Sequence, residues 1–172
     1  MERKAVLKDL DYSHPWVTAK EHIEQVYDEA LRHKDGLALD VGCFHGHSAL
    51  AMALGGMQVT LIDVEQDYLD NVAGLIERHG GKCIGAMLAP SDVFLQFMKE
   101  PCDLVMHDAQ HGEQIVPELL AYWNKAVKSG GTFIVHDTDQ IDLAKFIAAL
   151  GYPENKTTAD ERGRCLSIFY KP

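Results

Sequence analysis

The 172-residue chain predicts one doubly wound α/β domain: a Rossmann-like, mostly parallel sheet with helices on both faces and an antiparallel strand at its C-terminal edge. Three observations predict it. Five short apolar runs alternate with amphipathic stretches between residues 37 and 150, the pattern of βα units whose right-handed crossovers put helices on both faces. No low-complexity stretch, linker or internal repeat marks a boundary, so residues 1–172 read as a single domain. With 47% hydrophobic residues, the chain has enough apolar surface for one core and too little length for two.

Residues 1–34 read as a helical segment that can serve as a lid. Its helix is expected to start near Pro15 or Thr18, because Ile23, Val26, Tyr27, Ala30 and Leu31 recur at helical spacing and Gly36 stands at the stop. Strands follow at Leu37–Val41, Gln58–Asp63, Lys82–Ala86, Asp103–His107 and Thr132–His136, with helices over 47–54, 66–79, 91–99, 113–128 and 140–150. Lys128–Gly131 reads as a turn. The closing RCLSIFYKP reads as the edge strand, antiparallel to residues near Asn155–Thr158.

Charge and composition exclude several functions. A net charge of −10 opposes nucleic acid as a partner, since tracking phosphates needs an excess of Lys and Arg. No apolar run approaches the roughly 20 residues that span a bilayer, and the start MERKAVLKDLDYSHPW lacks a signal-peptide core, so a cytoplasmic protein without membrane partners is expected. Cys43, Cys83, Cys102 and Cys165 show no CxxC spacing and read as reduced thiols.

In doubly wound sheets, ligands sit beyond the carboxyl ends of the strands, so the turn 39-LDVGCFHGHSAL-50 is the first to question. Gly42 and Gly46 flank Cys43, Phe44 and His45, giving GxxxG in place of the dinucleotide GxGxxG, and His47 after Gly46 rules out a P-loop. Asp40 would repel a pyrophosphate but could hold a cationic amino group. Asp63, ending the next strand, can accept hydrogen bonds from ribose hydroxyls. An amino group and a ribose without phosphate describe S-adenosylmethionine.

At Asp40, Gly42, Gly46 and Asp63 the chain resembles the class I S-adenosylmethionine-dependent methyltransferases. The resemblance implies cofactor contacts from Asp40, Gly42, Cys43, Phe44, His45, Gly46, Asp63, Val64 and Asp108. It also places the segment GAMLAPSDVF beside adenine, with Met87 and Leu88 on the ring and Ser91 or Asp92 at its polar edge, although a Met-Leu pair equally suits plain core. Phe44 stands where many members have a glycine.

The segment 103-DLVMHDAQHGEQIVPELLAYWNKAVKSGGTFIVHDTD-139 resembles the small-molecule O-methyltransferases of family 24 and of the catechol and caffeoyl-coenzyme A type. The resemblance matches Asp108 and His111 to an acid followed three positions later by Lys or His, and Asp137 to a second acid. In the metal-dependent members the next residue is an acid or Asn that completes a cation site. Here it is Thr138, so Mg²⁺ or another divalent cation on Asp108 and Asp137 would need help from Asp139 or His136. Five of the nine histidines, His45, His47, His107, His111 and His136, fall at strand ends on one edge. Polar strand tips tolerate histidine without any chemistry, but His111 suits a general base, a free imidazole titrating near about 6.5.

The expected function is O-methylation of a small hydroxylated molecule by in-line displacement, with His111 as base and Asp108 and Asp137 orienting substrate or metal. Two alternatives stay open: an S-adenosylmethionine-binding protein or enzyme of another class on the same fold, and an NAD or nucleotide-sugar enzyme, which GxxxG and Asp40 oppose. The sequence leaves the acceptor open, and an acidic surface is compatible with a homodimer.

Overall fold

The computed structural model describes residues 3–172, so the first two residues of the expected lid segment lie outside the described residues. Helices α1 (Arg3–Lys8) and α2 (Lys20–Arg32) precede β1 (Leu37–Val41), α3 (His47–Leu54), β2 (Gln58–Asp63), α4 (Gln66–Arg78), β3 (Lys82–Leu88) and α5 (Ser91–Phe97). Then come β4 (Cys102–His107), α6 (Val116–Lys125), β5 (Val127–Val135), α7 (Leu143–Ala149), β6 (Glu154–Ala159) and β7 (Cys165–Tyr170). The sheet order is β3-β2-β1-β4-β5-β7-β6, with β1 to β5 parallel and β7 antiparallel to both its neighbours. Strand order reverses between β1 and β4, with β2 and β3 added on one side and β5 on the other, and there the carboxyl ends open a crevice.

Side-chain alternation along the strands feeds two cores. Ala38, Leu104, Met106, Ile134 and Ile168 face the layer of α1 to α4. Leu39, Val41, Val105, Phe133, Val135 and Phe169 face α5, α6 and α7. Burial on both faces is why these strands read as unbroken apolar runs.

β1, β2 and α3 have the expected bounds, and four other elements depart for physical reasons. α2 starts at Lys20, because Pro15 and Val17 give their carbonyls to Arg164, and the Thr18 hydroxyl goes to Asp108. Leu31 is largely exposed, so the buried stripe of α2 ends at Ala30. β5 starts at Val127 because Lys128–Gly131 bulges within the strand. There the Gly130 N–H donates to the Lys171 carbonyl, and the Lys171 N–H to that of Gly131. Residues 113–115 and 138–140 are 3₁₀ turns ahead of α6 and α7.

The C-terminal strand pairs antiparallel with β6 as expected, but it is not the edge. β7 lies inside the sheet with Leu166, Ile168 and Phe169 fully buried, while β6, whose sequence is ENKTTA, forms the rim. A polar strand tolerates the unpaired outer side, and an apolar one does not. No helix among the described residues is long and apolar enough to cross a membrane.

Phe133 is fully buried and packs with Trp123 at 6.3 Å between ring centroids. Phe133→Ala should cost about 3–5 kcal/mol of stability, read as a lowered urea midpoint. An unchanged midpoint would show that this core does not hold β4 and β5 together.

Candidate functional site

A cavity of about 620 Å³ opens at the carboxyl ends of β1, β2 and β4, within the roughly 300–1,000 Å³ of small-molecule sites. One wall is the β1–α3 turn, Gly42, Cys43, Phe44, His45 and Gly46. Asp63, Val64 and Glu65 extend it, Ala89, Pro90 and Ser91 close one end, and Asp108, His111 and Asp137 stand at the other. Sequence reasoning missed Pro15 to Thr18, Tyr68, Gln140 and Arg164, which also line the cavity.

The two glycines of the turn are required by packing. Gly42 has φ +83°, and a Cβ there would fall 2.6 Å from the Asp108 carbonyl oxygen and 2.7 Å from the Ala109 Cα, so the β1 and β4 tips meet across it. Gly46 has φ +80°, and its Cβ would strike the Val72 methyls of α4 at 2.8 Å. Phe44 also takes a positive φ, 41°, and its ring stacks on His45 at 4.0 Å and meets Tyr68 edge-on at 5.0 Å.

Asp63 is 9% exposed, and its carboxylate ties two loops together. Oδ2 accepts from the Phe44 N–H, and Oδ1 from the Val64 and Glu65 N–H groups. A carboxylate offers about four lone-pair sites, so one remains for a ligand.

Two expected cofactor residues stand elsewhere. Asp40 is fully buried and does not line the cavity. It shares a sheet face with Ala38, so its Oδ2 accepts from the Ser48 hydroxyl of α3 at 2.8 Å, and its Oδ1 has no partner among the described residues. Burial pushes its carboxyl up to about 8, assisted by the negative charges of Asp108 and Asp63 and opposed by Ser48. Burial thus disfavours the charged form and keeps this carboxyl away from an amino group in the cavity. Met87 lies on the exposed rim strand β3, outside the cavity, as does Leu88.

The five strand-end histidines separate. His107 is buried on the α6 side, with Nε2 2.9 Å from Glu118 Oε1 and its ring edge-on to Tyr122, and serves packing. His47 contacts the Asp11 carbonyl through Nε2, and burial pushes its imidazole down. His111 borders the cavity with Nδ1 3.2 Å from Asp137 Oδ2. His136 is 4% exposed, and its Nδ1 lies 3.2 Å from both Asp108 Oδ1 and Asp137 Oδ1. Burial alone would lower the His136 imidazole, but the two carboxylates outweigh it and lift it to about 10. Asp137 is correspondingly held below the usual carboxylate range: burial would raise it, and His136 overrides that.

Asp108, His111 and Asp137 bring one donor atom each within 4.8 Å of one another, the arrangement of a cation site. Their oxygens, however, already face protein groups, although Asp137 Oδ1 has no hydrogen-bond partner among the described residues. Asp108 Oδ2 accepts from the Thr18 hydroxyl at 3.0 Å and its Oδ1 faces His136, while Asp137 faces His136 and His111. Thr138 turns its hydroxyl away to Ser167 at 2.7 Å and offers nothing to the cluster. As arranged, this donor set does not fit a resident metal.

The cavity wall carries Asp63, Glu65, Asp108 and Asp137, and its one Lys or Arg among the described residues, Arg164, is paired to Asp160 at 2.8 Å. Such a wall disfavours a phosphate and suits a cationic ligand.

Comparison with known proteins defines the class. The fold is that of the class I S-adenosylmethionine-dependent methyltransferases. The O-methyltransferase TomG from Streptomyces achromogenes, involved in tomaymycin synthesis and solved with S-adenosylmethionine, matches with TM-score 0.72 at 15% identity, over 99% of this chain and 87% of that one. An O-methyltransferase from Bacillus cereus in complex with S-adenosylhomocysteine matches with TM-score 0.69 at 14% identity, over 99% and 91%. An rRNA methylase from Streptococcus thermophilus matches with TM-score 0.66 at 13% identity, over 94% and 99%, so the fold alone does not choose the acceptor. No curated protein matches the sequence. The methyltransferase domain of family 24 matches residues 39–138, and the chain belongs to that family.

Gly42→Ala should destabilise the protein by at least about 1–3 kcal/mol, the strain of a non-glycine residue at positive φ, with the backbone clash at Asp108 added. Chemical denaturation checks it, and a variant as stable as the parent would show that the β1 and β4 tips do not need this glycine.

Proposed function

We propose that the protein transfers a methyl group from S-adenosylmethionine to the hydroxyl of a small molecule, with His111 as general base and no metal in the reaction. One observation carries this reading: His111 stands on the cavity wall with Nδ1 against the Asp137 carboxylate at 3.2 Å. A carboxylate at that distance favours the imidazolium that forms when the ring takes a proton at Nε2.

The cofactor end is the glycine turn with Asp63, whose remaining acceptor site takes a ribose hydroxyl. Ala89 and Pro90, apolar and at the end of the cavity next to β3, take the place expected of Met87 beside the base. The acidic wall of Asp108 and Asp137 favours a cationic sulfonium and repels a dinucleotide's pyrophosphate. Bound S-adenosylmethionine supplies an electrophilic methyl group open to direct displacement. His111 Nε2 removes the acceptor hydroxyl proton as the oxygen attacks, and Asp137 stabilises the imidazolium so formed. Trp16 and Thr18, on the segment joining α1 to α2, line the cavity and wall its acceptor side, the lid role expected of residues 1–34.

Three measurements test the reading. A panel of small hydroxylated acceptors should yield S-adenosylhomocysteine with at least one member, unaffected by chelator; binding without any transfer would favour a binding protein. His111→Ala should lower turnover by roughly 10²–10⁴-fold with cofactor affinity retained. A fully active variant would remove His111 from the chemistry. Asp63→Ala should weaken S-adenosylmethionine binding by at least the about 1.5–3 kcal/mol of one charged hydrogen bond, because the three N–H groups it holds are also released. Unchanged affinity by calorimetry would place the ribose elsewhere.

A further inference from the structure

We propose that the rim strand β3 is a self-association edge, pairing antiparallel with the β3 of a second copy across a twofold axis and joining the two sheets into one. The two rims of the sheet differ in kind. Rim β6 reads ENKTTA, whereas β3 reads KCIGAML and leaves Ile84, Ala86, Met87 and Leu88 exposed. Of the eight large apolar side chains exposed among the described residues, Ile84, Met87 and Leu88 lie on β3, Val64 just after the neighbouring β2, and Phe97 on α5, so the exposed apolar surface concentrates at this rim.

A rim strand also presents a row of unpaired backbone N–H and C=O groups, which another extended strand satisfies best. The bulge in β3 leaves room for this. It sets Ile84 out of register with β2, after which Gly85–Leu88 pair without interruption with Thr60–Asp63. Within that run Ala86 and Leu88 lie on one face of the sheet, and Met87 lies on the other, with Ile62. α5 packs on the Ile62 face and leaves Phe97 exposed. A second β3 laid along Gly85–Leu88 therefore gains apolar contact on both faces.

Charge selects both the occupant and the direction. A net charge of −10 makes copies of the chain repel, but residues 79–91 hold no Asp or Glu, so two copies can meet here. The two ends of the strand are oppositely charged. Lys82, at the start, is exposed and donates to the neutral Gln58 amide oxygen at 2.7 Å. At the other end Leu88 pairs with Asp63, and the exposed Glu65 and Asp92 follow close by. Antiparallel pairing brings Lys82 of each copy to the acidic end of the other, twice by symmetry, whereas parallel pairing would set like ends together.

Sedimentation of the chain alone tests this without cofactor or acceptor, so the result stands apart from the methyl-transfer reading. At concentrations up to about 100 µM, where interfaces of ordinary size are populated, the wild type should sediment with the mass of two chains. Met87→Lys combined with Leu88→Lys should weaken the association by at least about 100-fold, because each lost apolar contact counts twice across the axis. Tyr152→Lys, which removes an exposed aromatic away from β3, should leave it intact. A wild type of one-chain mass overturns the proposal and leaves the rim to a partner of another kind. A folded double variant that still pairs, or a Tyr152→Lys variant that falls apart equally, overturns it too. If the double variant does not fold, hydrogen exchange of the wild type decides: protection of every amide over Gly85–Leu88 supports the paired edge, and fast exchange of alternate amides there overturns it.

Discussion

Four carboxylates crowd one edge of this sheet, and the site depends on how their charges are held. Asp40, Asp63, Asp108 and Asp137 stand at or just beyond the ends of β1, β2, β4 and β5, brought together by the parallel register. Each is accommodated differently. Burial disfavours the charged form of Asp40, Asp63 gives its oxygens to three backbone N–H groups, and Asp108 and Asp137 share the imidazole of His136. What remains facing the cavity is an acidic wall that is stable in the protein yet still attractive to a cation.

The same devices fix the shape of the cavity. Thr18 bonds to Asp108, Arg164 takes the Val17 carbonyl, and His47 contacts the Asp11 carbonyl, so the segment between α1 and α2 is tied to three different elements. Tyr12 packs on His47, and His14 on Phe44 and His45, seating that segment on the glycine turn. The cavity wall at Trp16 and the glycine turn are thereby parts of one packed unit. Because the turn's glycines accommodate β4 and α4, its spacing is set by the fold's own packing as much as by a ligand.

Much of this was legible in the sequence. Apolar runs bounded by turns located β1 and β2 to the residue, and GxxxG with Asp63 pointed to the turn that lines the cavity. What the linear pattern did not resolve was the face. Alternation on a strand puts Asp40 on the side of Ala38, under α3, and sends His107 toward α6 but His136 toward α2. Read with that alternation, the three would have been separated in advance. Strand order is a different matter. That β3 and β6 are the rims, leaving Met87 in solvent and β7 inside, follows from pairings between distant segments, which local periodicity does not carry. Arg164 and Trp16 likewise reach the cavity only through tertiary contacts.

An acidic, phosphate-averse cavity on a methyltransferase fold makes one demand that is simple to measure. Calorimetric titration of the wild-type protein with S-adenosylmethionine should give saturable binding at one site per chain, and the same titration with NADH should give none. Binding of NADH, or of neither ligand, would contradict the assignment of this cavity.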